Sequence, residues 1–371
     1  MNLSYWEYKT WLSNIDFTIV GSGIVGLNCA LNLREKFPKA KILILEKGFL
    51  PQGASTKNAG FACFGSISEV LSDLKVLSEQ QVQKLVQKRW NGIQLLRKNL
   101  GDSYIDFQNH GGHEVFTDNQ AELFESCLNN QSVINELLQP VFGKAPFVKL
   151  ENHFNFKQVQ NQYITNTFES QIDTGKMMHR LLHLVQNGTI SILNAINVTE
   201  YSEGDDVVHV KTDKFEFATK KLIVTTNGFA SKLLNNSSIK PARAQVLITK
   251  PIPKLHIKGT FHLDEGYYYF RNIENRILLG GGRNLDFEAE ETTSFGETKL
   301  IQNKLVQLLT ETILPETSFE IEHRWSGIMG VGSNKEPIVK QVSNNVYCGV
   351  RLGGMGIAIG SAISKEITDL L

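Results

Sequence analysis

The stretch from Phe17 to Gly48, FTIVGSGIVGLNCALNLREKFPKAKILILEKG, decides the fold. Its apolar run from Phe17 to Val20 predicts a buried strand, Ile24 to Lys36 carries helical periodicity, and Lys41 to Glu46 returns to an apolar strand. That is a complete βαβ unit. Between its first strand and its helix, Gly21, Gly23 and Gly26 fit G-x-G-x-x-G. The first glycine allows a tight turn, the second lets backbone approach a pyrophosphate, and the third lets the helix pack on the strand. The helix N-terminus adds free N–H groups and a positive dipole end. Glu46 ends the second strand, where an acid binds ribose hydroxyls and disfavours a 2′-phosphate. The expected contacts are Gly21, Gly23, Ile24, Val25, Gly26, Glu46 and Lys47, and the ligand is FAD or NAD.

With 371 residues the chain has room for two parts and a cleft between them. Lysine plus arginine equal aspartate plus glutamate at 38 each, so no net field draws nucleic acid or an anionic membrane. A small-molecule partner is expected. The N-terminal MNLSYWEYKTWLSNID lacks the apolar core of a secretion signal, and no run is long enough to span a bilayer. Cys29, Cys63, Cys127 and Cys348 form no C-x-x-C pair, which predicts neither a zinc site nor disulfides. The expected setting is the cytoplasm.

Beyond the first unit, Glu69 to Leu100 reads as helical, IDFQNHGGHEVFT as a strand around a glycine turn, and Asn119 to Leu138 as a helix. Asp173 caps an amphipathic helix that Gly188 stops. Short strands fill most of the segment from Ile190 to Asn284, a helix covers Glu297 to Leu309, and the chain ends in strand, glycine loop and helix.

GASTKNAGFACFGS, from Gly53 to Ser66, separates FAD from NAD. It resembles the loop of the D-amino-acid oxidase superfamily of FAD-dependent amine and amino-acid oxidoreductases, a group that includes glycine oxidase, sarcosine oxidase and γ-glutamylputrescine oxidoreductase. Ser55, Thr56, Lys57, Asn58, Ala59 and Gly60 follow the pattern G-A-S-x-R-N-A-G, with lysine where arginine is usual. The charge stays while planar bidentate bonding goes. Small residues and hydrogen-bonding side chains suit a flat ring and a ribityl chain. An NAD-dependent dehydrogenase has no use for such a loop there.

The resemblance extends in family order along nearly the whole chain. Val198 in AINVTEY is similar to the residue whose backbone meets adenine, and Thr226, Asn227 and Gly228 in KLIVTTNGFAS to the turn that shields the pyrophosphate. PARAQVL, with Arg243 and Gln245, resembles a P-x-R-G-Q element. RLGGMGIAIG resembles the terminal glycine loop, implying that Arg351, Gly353, Gly354, Met355 and Gly356 line the flavin's pyrimidine edge. Fixed positive dipoles there favour the reduced ring.

Two departures matter. Amino-acid oxidases of this family carry W-x-G-x-R-P, whose arginine grips the substrate carboxylate. Here Trp325, Ser326, Gly327 and Ile328 are followed by Met329. Bidentate arginine dominates carboxylate recognition, so the change favours an amine, or an amino acid held differently by Arg271 or Arg351. Second, Met329 to Glu336 contains no cysteine for covalent attachment, so FAD is expected to be non-covalent. In DEGYYYFRN, alternation sets Tyr267 and Tyr269 on one face and Tyr268 and Phe270 on the other, and one face is placed to cover a flavin. His262 and His323 are within reach of the same cleft, whereas His110 and His113 of HGGH lack further ligands, and no metal is expected.

The resemblance implies an α/β fold: a three-layer Rossmann-like FAD domain of residues 1–75, 166–238 and 322–371, interleaved with an α+β substrate domain, built on an antiparallel sheet, of residues 76–165 and 239–321. It implies hydride transfer from a C–N bond to the flavin, leaving an imine that water hydrolyses, with oxygen or another acceptor taking the electrons. No side chain is assigned as base. The alternative is a flavin binder without small-amine turnover, or a flavin domain acting on a modified RNA or protein.

Overall fold

The computed structural model describes residues 2–186 and 189–371. Gly188, expected to stop a helix, lies outside the described residues.

Two large sheets organise the chain. The first runs in the order Ile338–Ser343, Val346–Val350, Glu216–Val224, Ile15–Val20, Ile42–Leu45, Ile190–Leu193. All its neighbours are parallel except the first pair. Every residue of Ile42–Leu45 and of Phe17 to Val20 is buried. Continuous apolar strands of this kind are the signature of a parallel sheet covered on both faces. Helices Ile24–Lys36, Thr174–Gln186 and Gly356–Asp369 bury one face, joined by Glu79–Leu100. The antiparallel strands Val198–Glu203 and Val208–Thr212, running off Glu216–Val224, cover the other. The result is three layers.

The second sheet holds Ile321–Val331, Lys240–Thr249, Arg276–Gly281, Tyr268–Ile273, Thr260–Leu263, Gly112–Glu114, Gln162–Asn166 and Phe147–Glu151 in that order. It is antiparallel except where Thr260–Leu263 meets Gly112–Glu114. Leu247, Phe261, Phe270 and Leu279 on one face pack against Ile301 and Leu305 of helix Lys299–Leu308. The other face turns toward the loop that follows the βαβ unit. The chain alternates between the sheets, and the short ribbon Phe61–Ala62 with Ser170–Gln171 sits beside the crossing points.

The helical stretch expected from Glu69 to Leu100 is two helices, Ile67–Leu74 and Glu79–Leu100. Ser66 with Glu69, and Ser78 with Gln81, each form a reciprocal capping box, so the chain starts a helix twice. Asp173 caps as its position predicts, accepting from the Lys176 N–H at 2.8 Å. Among the described residues no helix is long and apolar enough to cross a membrane.

Candidate functional site

The glycine turn is built as its spacing requires. Gly21 has φ +103°, and a Cβ on Gly26 would stand 2.0 Å from the Gly21 carbonyl oxygen and 2.8 Å from Thr225 Oγ1. The helix Ile24–Lys36 begins after Gly23 with no side-chain cap on its first turn from that residue. Ser55 instead reaches over from the next loop, its Oγ accepting the Ile24 N–H at 2.9 Å. Ile24 and Val25 pack against Gly360 of the terminal helix, where a Cβ would meet Ile24 Cγ2 at 2.6 Å. Glu46 is buried, and its carboxylate accepts from the Ser22 N–H at 3.0 Å, the Ser22 hydroxyl at 2.7 Å and the Gly48 N–H at 2.9 Å. A carboxylate has about four acceptor positions, so one remains for a sugar hydroxyl. Lys47 is exposed beside it, and Val198 opens its strand at the edge of the same core.

The loop after the second strand is tied down from several elements. Thr56 donates to the Pro51 carbonyl at 2.8 Å, and Asn58 both donates to Ser55 O at 2.8 Å and accepts the Gly60 N–H at 2.9 Å. Thr174, opening another helix, donates to Asn58 Oδ1 at 2.7 Å. From the second sheet, Trp325 Nε1 donates to Lys57 O at 2.9 Å and Arg271 Nη1 to Gly60 O at 3.0 Å. Gly327 lies against Lys57, where a Cβ would come within 3.0 Å of the lysine's own Cβ. Lys57 Nζ stands 5.6 Å from the Phe295 ring centre. Ala59 is buried in an apolar patch with Val246 and Leu278.

A third segment closes the cradle. Asn227, at φ +45°, accepts the Leu352 N–H on its Oδ1 at 3.0 Å, which fixes the turn of Thr226 to Gly228 against the terminal loop. A Cβ on Gly228 would stand 2.3 Å from the Met329 carbonyl oxygen. Arg351, at φ +64°, spends its guanidinium on Asn334 Oδ1 at 2.8 Å and Glu336 O at 2.9 Å. Met355 precedes helix Gly356–Asp369 without capping it by a side chain. A Cβ on Gly353 or Gly356 would meet nothing within 4 Å, and one on Gly354 only Met329 Sδ at 3.9 Å. Thr226 Oγ1 is buried without a hydrogen-bond partner. An orphaned hydroxyl, helix N-termini free for an anion and open space above two glycines suit a dinucleotide carrying a second flat ring.

The open face of the second sheet completes the cleft. Register places Glu114, His262, Tyr269, Gly280, Val246 and Trp325 in one row across six strands. Tyr269 lies over Gly280, and its ring centre is 5.7 Å from that of Phe61. Burial pushes its phenol up to about 12. Tyr268 is on the opposite face, inside the helix-covered core, and Tyr267 is 40 % exposed in the turn before the strand. His323 is exposed and stacks on Trp325. Arg271 shares the Tyr269 face, but its Nη1 also donates to Ile172 O at 2.6 Å and its Nε to Asn272 O at 3.1 Å. Burial draws its pKa down to about 10.

His262 has a partner that no local pattern in the sequence announces. Its Nε2 sits 2.9 Å from Glu169 Oε2, both side chains being buried. Burial works against the imidazolium, yet the Glu169 charge and hydrogen bond prevail and lift it to about 9. Glu114, its neighbour in the row, accepts from the Ser68 N–H and hydroxyl, while burial raises it to about 7. Glu169 and Glu114 were not legible as site residues, because strand pairing brings Glu114 to His262 and the turn after Gln162–Asn166 brings Glu169 there. His113 lies in the core rather than in a turn, its Nδ1 2.8 Å from Thr165 Oγ1. Arg243 is bound bidentately to buried Glu290, a structural pair that also engages Gln245. The four cysteines are free and buried, and among the described residues no cluster of metal-ligand side chains forms.

Comparison with known proteins agrees with this geometry. A family model described as FAD dependent oxidoreductase (DAO) matches residues 16–370. A "Probable oxidoreductase OrdL" of Haemophilus influenzae is 20 % identical over 378 residues, covering 98 % of this chain and 84 % of its own length. Glycine oxidase from Geobacillus kaustophilus shares the fold at a TM-score of 0.77 and 16 % identity, covering 96 % of this chain and 94 % of its own. L-proline dehydrogenase from P. horikoshii does so at 0.74 and 16 %, covering 96 % and 93 %.

Proposed function

The chain belongs to the DAO family of FAD-dependent oxidoreductases, and from that premise we propose that it oxidises the C–N bond of a small amine or amino acid. The observation that carries the reading is the apposition of two surfaces: the glycine cradle with its loop from Gly53 to Gly60, and the face bearing Tyr269 and Trp325. Solved structures with this fold include glycine oxidase and iminodiacetate oxidase, whose names supply the substrate class. FAD, when bound, supplies a two-electron acceptor.

The protein's own groups orient and dry the site. Gly354 and Gly356 would present backbone N–H groups to the ring edge that gains charge on reduction, where fixed dipoles need no rearrangement, while the N–H groups of Gly353 and Met355 go to the Gly330 and Leu352 carbonyls. Phe61, Val246, Tyr269 and Trp325 exclude water from the reacting carbon. The substrate nitrogen must be neutral, because its lone pair drives departure of the hydride. The imine product then takes water and splits into a carbonyl compound and an amine or ammonia. The two electrons would pass on to oxygen or another acceptor. FAD is held without a covalent bond, in keeping with four buried thiols and with Cys63 Sγ lying 3.7 Å from Met355 Sδ. Those reduced thiols support a cytoplasmic setting.

Product analysis tests the reaction. Turnover should release one carbonyl compound for each pair of electrons delivered to the acceptor, together with ammonia or a smaller amine. Electron delivery without a carbonyl product would refute C–N oxidation.

A further inference from the structure

Oxidation of a C–N bond needs a neutral nitrogen, yet an alkylamine reaches a protein near pH 7 as an ammonium ion, with a pKa of about 10. Some group has to receive its proton. On the cleft face, Tyr269 is a neutral phenol that burial pushes up to about 12, and Arg271 gives its donors to backbone carbonyls, so neither is an acceptor. Glu114 turns both carboxylate oxygens to the start of helix Ile67–Leu74, on the Ser68 N–H and hydroxyl. Strand pairing sets His262 between Glu114 on one side and Tyr269 on the other.

The ring of His262 is fixed by one nitrogen and open at the second. Its Nε2 lies 2.9 Å from Glu169 Oε2, and because a carboxylate only accepts, that nitrogen carries a hydrogen and Nδ1 is the one that gains or loses a proton. Among the described residues Nδ1 makes no hydrogen bond. The Glu169 side chain is 1 % exposed and that of His262 7 %, so the carboxylate is sealed in and the ring is the accessible member of the pair. Phe61, from the loop that leads out of the cradle, meets the imidazole edge to face at 5.4 Å and Tyr269 at 5.7 Å. A pair that only tied two elements together would leave no ring nitrogen empty in so buried a place.

The charges around the ring set its proton affinity. Glu169, Glu114 and, from helix Ile67–Leu74, Glu69 all favour the imidazolium. Burial keeps His113 neutral in the core behind the strand and keeps the Cys63 thiol protonated, so neither adds a charge. The result, about 9, lies close to the affinity of an alkylammonium. Proton transfer between two such groups is nearly balanced, the condition under which a general base works best.

Taking the reading of C–N oxidation as given, we propose that His262, oriented by Glu169, is the general base that receives the proton of the bound ammonium on Nδ1. An N–H bond of the substrate breaks, the Nδ1–H bond forms, and the electron pair stays on the substrate nitrogen. Where the ring arrives already protonated, two cations meet in one dry site and one proton first leaves for solvent. The ring returns the transferred proton to water when product departs.

The limiting rate of anaerobic flavin bleaching, at saturating substrate, tests this on the FAD-loaded protein between pH 6.5 and 10.5. The probe is whichever of glycine, proline, methylamine and pyrrolidine bleaches fastest, and the proteins are wild type, His262→Gln and Glu169→Gln. In the wild type the rate should break at least one pH unit below the free amine's pKa. His262→Gln leaves the ammonium beside an unpaired Glu169, so the break should move up by at least about one unit and the rate at pH 7.5 should fall at least about tenfold. The two proteins should converge toward high pH. Glu169→Gln keeps the ring and removes its anion; its break should move the same way by less, and it supplies the comparison if His262→Gln does not load FAD. A merely structural role would lower flavin content, or the rate equally at every pH, and leave the break in place. A wild-type break at or above the free amine's pKa, or one break shared by wild type and variants, would overturn the base and leave C–N oxidation standing. Flavin bands that persist against every amine and amino acid at every pH would overturn both.

Discussion

Trp325 donates its indole N–H to the carbonyl of Lys57 at 2.9 Å, joining the second sheet to the loop of Gly53 to Gly60. This bond holds the loop's backbone against the second sheet, beside the proposed cofactor cradle. Trp325→Phe keeps most of the apolar contact and removes the donor, leaving a partly buried carbonyl unpaired. The expected cost is about 1–2 kcal/mol, appearing as a lower unfolding midpoint and about a tenfold weaker affinity for FAD. Equilibrium denaturation and FAD titration measure the two effects separately.

The glycines divide into those that serve folding and those that serve the cofactor. Gly26→Ala forces a methyl to within 2.0 Å of backbone and should prevent formation of the βαβ turn. Gly356→Ala meets nothing within 4 Å and puts a better helix former in the first turn. It should leave the unfolding midpoint of the cofactor-free protein unchanged and weaken FAD binding by about tenfold or more, because the methyl enters space the ring requires. Soluble expression followed by FAD titration of the two variants distinguishes them.

The pair of His262 and Glu169 makes stability depend on pH. Folding raises the His262 pKa from 6.5 to about 9, so its contribution is full below about pH 6.5 and disappears as pH rises through 9. His262→Gln leaves Glu169 buried without its cation and should cost about 3 kcal/mol at pH 6. That deficit should shrink by pH 10. Glu114, raised from 4.5 to about 7, likewise withdraws its contribution between those values as pH rises. His113 acts in the opposite sense: burial lowers it to about 3, so its contribution is full above pH 6.5 and is lost as pH falls toward 3. Unfolding midpoints of wild type and His262→Gln across this range give the comparison.

Turnover should also follow the substrate's own proton. Only the neutral amine can release hydride, so kcat/KM should rise tenfold per pH unit below the substrate amine's pKa and level above it. Substrates with different amine pKa values should shift the break accordingly. A break that stays fixed while the substrate changes would assign it to the protein.

Release of the cofactor completes the set. Denaturation followed by ultrafiltration should free all of the yellow chromophore into the filtrate. Colour retained on the chain would mean a covalent link, with Cys63, beside Met355, the first residue to map.

Much of this architecture was legible because its parts are local. Strand, glycine turn, helix and acid lie within one βαβ unit, and burial of every residue in Ile42–Leu45 follows from an unbroken apolar run. Alternation separated Tyr268 from Tyr269, since a strand permits only two faces. What alternation did not give was which face meets the loop, because that depends on the packing of Phe61 and Trp325 from distant segments. Glu169 and Glu114 escaped for the same reason: Glu114 meets His262 through strand pairing, and Glu169 reaches it from the turn after Gln162–Asn166. Arg271 and Arg351 stood in the sequence as candidates to hold a carboxylate, whereas the fold bonds Arg271 to backbone carbonyls and Arg351 to Asn334 and the Glu336 carbonyl.

The central claim, a flavin held between the glycine cradle and the Tyr269 face and reduced by amine or amino-acid substrates, is tested most directly by the visible spectrum of the purified protein under anaerobic addition of those compounds. The account predicts flavin bands that an amine or amino acid bleaches within the time of turnover and that an electron acceptor restores. A protein that shows no flavin bands even after incubation with FAD, or whose bands persist against every amine and amino acid supplied, would contradict it.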